Sequence, residues 1–360
     1  MLWFWIFVGP ALVLACLSLR GERKRAEYVA ARIAGPAGPL PLVTVIVPVS
    51  GATETLAETL LSLAAQDYPD YELIIAAPGA DSIPAGVLPP VAKVALVGAA
   101  GEIQLLQAGV RAARQRSQVF AFAQSSGLVS SSWLRALVAP LSEPGVGAST
   151  GFRWYAPEPP AFWSLMQSVW NAVIAGKLGP GANDFAWAGA VAISRDVFVV
   201  ARVNECWTGA SRADLALARA VRVIAFAPGA MVACTGRPTA REFISQARRE
   251  MAEARRYLPR LWWTGLLAHV VYCGAMLASV IAIARGNTGA EWALVVQFGL
   301  GMLKGVNRAT LAKVELPQFQ IWFDRHSWTH ALWVPLATWV WLYVLISSAF
   351  DIERGSKLKG

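Results

Sequence analysis

Val43-Thr-Val-Ile-Val-Pro-Val49 is an almost unbroken run of apolar, mostly β-branched side chains. A strand with one wet face alternates apolar and polar residues; this run does not, so it reads as a strand covered on both faces, as in a parallel sheet flanked by helices. The flanking patterns agree. Thr53 to Ala65 reads as a helix, with Leu56, Leu60, Leu61 and Leu63 as its apolar positions and Thr53 as its N-cap. Tyr71 to Ala77 is the next strand, Lys93 to Val97 a short one, Glu102 to Arg114 a helix, Val119 to Ala123 a strand and Trp133 to Leu141 a helix. Such alternation implies βαβ units with right-handed crossovers, hence a doubly wound α/β sheet whose ligands sit at the carboxyl ends of its strands. No internal repeat or low-complexity segment interrupts it.

The rest of the chain points to a membrane. Of 360 residues 56% are hydrophobic, 16 are Trp and the mean hydropathy is +0.45, which points to a membrane protein. Leu2 to Leu19 carries no charge and approaches the ~20 residues that a bilayer crossing needs. No basic residue precedes it, while Arg20, Arg23, Lys24 and Arg25 follow, so it is expected to be an uncleaved anchor (residues 1–20) with its N-terminus outside and the next domain in the cytoplasm. Residues 21–42, basic and then rich in Pro and Gly, are expected to form a linker. An α/β domain over 43–238 and an amphipathic interfacial helix over 239–261 follow, the latter with Ile244, Ala247, Met251, Ala254 and Leu258 as its apolar set. Residues 262–350 hold Trp262–Ala284 and Ala331–Phe350 as spans, and Trp292–Leu303, whose apolar run is too short for a simple one. Three or four spans result in all; three agree better with the basic tail of 351–360 on the cytoplasmic side.

The net charge of +9 is spread beside apolar segments, a placement that fits attraction to anionic headgroups rather than nucleic acid. Cys16, Cys206, Cys234 and Cys273 form no CxxC pair, and His269, His326 and His330 lack partners at ligand spacing, so neither a disulfide framework nor a zinc site is expected.

Several stretches, in order, resemble membrane-bound family 2 glycosyltransferases, and most closely the ceramide glucosyltransferase-like branch, family 21. They are Val43–Val49, the turn Gln66-Asp-Tyr-Pro69 entering the second strand, Trp133–Leu141, Val146–Tyr155, Ala188–Phe198, Asp214–Arg219 and Arg255–Trp262. The resemblance implies a GT-A, Rossmann-like nucleotide-diphospho-sugar transferase domain in the cytoplasm, held by N-terminal and C-terminal transmembrane helices in a multi-pass integral membrane protein. It implies an inverting hexose transfer from a nucleotide sugar, typically a UDP-sugar, to a lipid hydroxyl. It also implies Mg²⁺ or Mn²⁺ as cofactor.

Carried over residue by residue, the resemblance makes Asp214 the candidate base that takes the acceptor proton, a role chemically suited to a carboxylate. As an Asp at a helix start it is equally a cap or dipole partner. Pro48, Ser50, Asp81, Gln124 and Ser126 fall at the donor-binding positions, and Gln246, Arg249 and Arg255 at those for diphosphate and acceptor. Gln124-Ser125-Ser126 departs from the family by standing where Asp-x-Asp normally holds the cation, and neutral oxygens offer little net attraction to a hard divalent ion. With Gln246-Ala-Arg-Arg249 as the family's Gln-x-x-Arg, Glu250 stands where the family has Trp, whereas the register supported by Tyr257–Trp262 puts Arg249, Ala252 and Glu253 at the motif positions. Two readings stay open: an active transferase in which arginines take the cation's place toward phosphate, and a catalytically inactive pseudo-transferase that binds lipid or nucleotide as a membrane-bound regulatory partner. A transporter fits less well, because the expected spans lack the charged residues of an ion path.

Overall fold

The computed structural model describes residues 4–35, 38–98 and 100–357, side chains only as far as residue 350; Leu2, Trp3, Pro36, Ala37 and the tail side chains lie outside the described residues. The first half is the expected alternation. Helix α1 (Trp5–Ala34) precedes β1 (Val43–Pro48), α2 (Leu56–Ala64), β2 (Tyr71–Ala77), β3 (Ala92–Leu96), α3 (Glu102–Ala112), β4 (Val119–Ala123) and α4 (Trp133–Val138). Then come β5 (Ala148–Thr150), β6 (Arg153–Tyr155), α5 (Phe162–Ala175), β7 (Ala190–Ser194), α6 (Arg195–Val200), α7 (Val203–Trp207), α8 (Ala213–Ala220), β8 (Ile224–Phe226) and β9 (Val232–Cys234).

A seven-stranded sheet results, in the order β3-β2-β1-β4-β7-β5-β8. Strand β1 lies at its heart, Val43 pairing with Tyr71 on one side and Val119 on the other, both in parallel. All its side chains from Val43 to Val47 are buried, which is why it shows no alternation. Helix α3 crosses β1 at Gly109, where a Cβ would stand 2.3 Å from Ile46 Cγ2, so the close approach needs glycine. The sheet is mixed rather than all parallel: β7 runs antiparallel to both β4 and β5. A two-stranded parallel ribbon of β6 and β9 stands beside it.

The sequence boundaries need two corrections. Residues 21–34, expected as linker, continue α1, because apart from Gly21 they are helix formers such as Arg, Glu and Ala, and the first stop signal is Gly35-Pro36. This extension is bolted to the α/β unit, where Tyr28 Oη donates to the Phe226 carbonyl at 2.6 Å, Arg25 Nε donates to the Leu178 carbonyl at 2.8 Å and Arg32 pairs with Glu143, and to a later helix, Thr288–Glu315, where Arg25 pairs with Glu315 at 2.6 Å. The helix expected over 239–261 is two helices, α9 (Ala240–Tyr257) and α10 (Pro259–Ala284). Pro259 causes the break, since it lacks an N–H and is favoured in the first turn. A Thr239–Glu242 capping box starts α9.

Helices α11 (Thr288–Glu315), α12 (Gln320–Leu332) and α13 (Val334–Lys357) complete the chain. Among the described residues α1 and α10 are long and apolar enough to cross a membrane, and α12 with α13, bent by 70° at their junction, counts as one further span if taken together. The Trp292 segment lies inside α11, which is longer than the expected apolar run and carries Glu291, Lys304, Arg308, Lys313 and Glu315.

Candidate active site

Asp214 is the second residue of α8, two positions after Arg212, whose backbone is extended, and is 3% exposed. Its Oδ1 accepts from Arg212 Nε at 3.1 Å and from the Leu215 N–H at 2.9 Å. Its Oδ2 accepts from Arg212 Nη2 at 2.7 Å and from the Ala188 N–H at 3.3 Å. A carboxylate has about four lone-pair positions, so all are in use. Burial works against the Arg212 charge, but the Asp214 carboxylate beside it outweighs burial and raises its pKa.

Asp214 lines a cavity of about 730 Å³ that lies between the α/β unit and the long helices. Arg153, Trp187, Arg212 and Glu250 line it as well, and so do Leu12 and Leu17 of α1, Met276 of α10, Leu300 of α11 and Leu345 of α13. The lining thus joins charged side chains to stretches of aliphatic ones on the long helices, the mixture expected of a site for an amphiphile.

Arg153, on β6, is held from every direction. Its Nη2 donates to both Glu250 oxygens at 2.6 Å and its Nε to Asn171 Oδ1 at 3.3 Å, and the guanidinium lies 5.2 Å from the Tyr155 ring centre. Gln246 Nε2 donates to Tyr155 Oη and to Glu250 Oε1, each at 3.0 Å. Burial opposes the Arg153 charge, yet Glu250 raises its pKa, and burial likewise raises that of Tyr155. Glu250 is thus a counter-ion. Arg153 itself went unassigned in the sequence, although it lies within the Val146–Tyr155 stretch; nothing local signals that β6 and α9 bring it to Glu250, 97 residues away.

The other expected residues are placed elsewhere. Arg249 is exposed and donates to Ser245 Oγ at 2.9 Å. Arg255 donates to the Ala349 carbonyl at 2.7 Å and lies 5.2 Å from the Trp262 ring centre, fastening α9 to α10 and α13. Pro48, Ser50, Asp81, Gln124 and Ser126 do not line the cavity. Pro48 ends β1, while Ser50 and Asp81 are exposed beyond the carboxyl ends of β1 and β2. Gln124 follows β4 and turns its amide nitrogen inward, to the Ser126 carbonyl and, at 3.5 Å, to Cys234 Sγ on β9. Burial pushes the Cys234 thiol up to about 11, so it stays neutral beside Gln124. The residues at the Asp-x-Asp positions therefore offer a hydroxyl and an inward-turned amide, and no group of three His, Cys, Asp or Glu able to hold a metal occurs among the described residues. This donor set does not fit the divalent cation that the family resemblance implies.

Residues 3–85, which carry α1, β1, α2, β2 and the Asp81 turn, match the model of glycosyl transferase family 21. No curated protein gives a significant sequence match. Among solved structures the chain is similar to the mannosyltransferase PcManGT from Pyrobaculum calidifontis in complex with GDP-Man and Mn²⁺, at 14% identity and a TM-score of 0.50, covering 90% of this chain and 98% of that one. A weaker likeness joins it to mannosyl-3-phosphoglycerate synthase from Rubrobacter xylanophilus, at 13% identity and a TM-score of 0.39, covering 64% of this chain and 83% of that one. The chain has a GT-A glycosyltransferase fold fitted with long apolar helices, and its first quarter resembles family 21 glycosyltransferases.

Proposed function

We propose that this protein is a membrane glycosyltransferase that moves a hexose from a nucleotide sugar, a UDP-sugar by family resemblance, to a lipid hydroxyl at the cytoplasmic face. The cavity carries the reading: one continuous space runs from Asp214, Arg212 and Arg153 to aliphatic walls on α1, α10, α11 and α13. A lipid can lay its chains along those walls and present its hydroxyl to the charged floor without leaving the bilayer.

In that pose the acceptor oxygen attacks the anomeric carbon on the face opposite the diphosphate. The new C–O bond forms as the old one breaks, the nucleoside diphosphate leaves with the electron pair, and configuration inverts. Asp214 accepts the hydroxyl proton. For this, one of the four donors to its carboxylate must give way, and the 3.3 Å bond from the Ala188 N–H is the longest. Negative charge growing on the diphosphate needs a counter-charge. Arg153 and Arg212 are the guanidinium groups of the floor, and arginine meets phosphate oxygens in bidentate fashion. No step is routed through a metal.

The test is sugar transfer by the purified full chain, with a panel of nucleotide sugars and total lipid extract as acceptor. Asp214→Asn keeps the size of the side chain and, through its one amide oxygen, at most two of the four hydrogen bonds; it should lower kcat roughly 10²- to 10⁴-fold with KM little changed, its melting temperature being read alongside because Arg212 loses its counter-ion. An unimpaired variant, or no transfer by the wild type with any donor, rejects the reading. The second reading, a pseudo-transferase, is favoured by the inward-turned Gln124 amide. It requires that UDP-sugars show no Mn²⁺-dependent affinity, so a micromolar metal-dependent titration rejects it.

A further inference from the structure

Seven Lys and Arg side chains line the cavity against four Asp and Glu. Most of these charges cancel in pairs. Arg153 meets Glu250, Arg212 meets Asp214, Arg308 meets Glu22 at 2.7 Å, and Arg25 meets Glu315 from outside the lining. Lys177, just after α5, and Lys304, on α11, have no carboxylate partner among the described residues. Lys304 is only 8% exposed, and its Nζ has the Tyr272 hydroxyl at 3.4 Å and the Tyr272 ring centre at 4.8 Å for company. A phenol and a ring face carry no full negative charge, and Glu22, the carboxylate that acts on Lys304, is already paired with Arg308, so the ammonium is buried where cations outnumber anions, an expensive arrangement unless a ligand supplies the missing charge. Beside it Arg308 keeps a buried Nε with no hydrogen-bond partner. Burial and the Arg308 charge together lower the pKa of Lys177, which places these cations within electrostatic reach of one another.

We infer that Lys177, Lys304 and Arg308 form a headgroup site for the phosphate of an anionic lipid whose chains lie along the aliphatic walls of the same cavity. A phosphate offers several charged oxygens to the three cations, with Arg308 Nε among the donors that carry no hydrogen bond. The adjoining Leu12, Leu17, Met276 and Leu300 give a free inorganic anion nothing to bury, but suit acyl chains. The consequence that the acceptor itself is an anionic lipid rests on the proposed function; the binding site does not.

The experiment measures thermal stabilisation of the purified full chain in neutral detergent by dioctanoyl phosphatidic acid, dioctanoylglycerol and inorganic phosphate. Phosphatidic acid should raise the melting temperature at concentrations where the other two do not. Lys177→Gln with Lys304→Gln should weaken that response about thirtyfold, and Lys177→Arg with Lys304→Arg should restore it. Equal stabilisation by dioctanoylglycerol overturns the inference, as does an unchanged response in the glutamine pair. Equal stabilisation by inorganic phosphate overturns the lipid assignment. If the glutamine pair does not fold, the wild-type contrast between phosphatidic acid and dioctanoylglycerol decides alone. Adding nucleotide sugars separates the two proposals: phosphatidic acid bound with no transfer to any lipid refutes the reaction and leaves the site, whereas transfer to dioctanoylglycerol with no phosphatidic acid bound does the reverse.

Discussion

At the carboxyl ends of β1 and β4 the side chains are short, neutral and partly open: Ser50, Gln124, Ser125 and Ser126, with Asp81 exposed nearby. Along β6, α8 and α9 the side chains are charged, paired and enclosed: Arg153 with Glu250, and Arg212 with Asp214. Both regions belong to one GT-A unit and are joined through β9, where Cys234 pairs with Tyr155 on one side and accepts from Gln124 on the other. The difference is one of consequence under change. Open neutral positions can be exchanged at little structural cost, whereas each enclosed ion needs its partner to stay in place.

The largest effect should follow from breaking a pair. Glu250→Ala leaves Arg153, whose side chain is 11% exposed, without its counter-ion and should lower stability by about 3–5 kcal/mol. Thermal unfolding of the purified protein measures it. Arg153→Met combined with Glu250→Leu should recover most of the loss, because removing both charges leaves neither uncompensated. If Glu250→Ala is neutral, the floor is not an ion-paired unit and the contrast with the strand ends disappears.

A smaller effect should follow at the strand ends. Gln124→Asp with Ser126→Asp rebuilds the acidic pair at two partly open positions, and the melting temperature should move little. Mn²⁺-dependent binding of UDP-sugars should appear or strengthen, since hard cations favour carboxylates over amides and hydroxyls. Calorimetric titration with and without Mn²⁺ reads this. Binding that is already metal-dependent in the wild type, and unmoved in the double variant, means the cation sits on other residues.

The sheet was legible because its strands obey local rules. Val43–Val47 is apolar on both faces and Val119–Ala123 is buried throughout, so both were readable without knowing their neighbours. The antiparallel β7 was not, because Ala190–Ser194 has the same apolar composition whichever way it runs. The continuation of α1 was hidden by charge: the basic start of residues 21–42 reads as a linker until Arg25 is seen against Glu315, 290 residues away. Asp214 and Glu250 could be picked out as residues. Their partnerships with Arg212 and Arg153, and the cavity they share with α10 and α11, depend on helix packing for which the sequence has no local signal.

The smallest effect is at the seam. Cys234 touches Gln124 through its sulfur, and the charges of Arg153 and Glu250 both act on it, so it senses the two regions at once. Burial is the largest influence and raises the thiol pKa to about 11, which leaves little thiolate near neutrality. Since thiolate is the reactive form, iodoacetamide at pH 8 should label the exposed Cys206 and spare Cys234. Labelling of Cys234 should then climb about tenfold per pH unit between pH 8 and 10, with the thiolate fraction. Peptide mass spectrometry after timed labelling of the native protein gives both rates. Gln124→Asp should slow Cys234 further, because a carboxylate beside the sulfur disfavours a second negative charge. Rapid labelling of Cys234 at pH 8, or acceleration in Gln124→Asp, means the strand ends and the ion-paired floor are open to water where they meet.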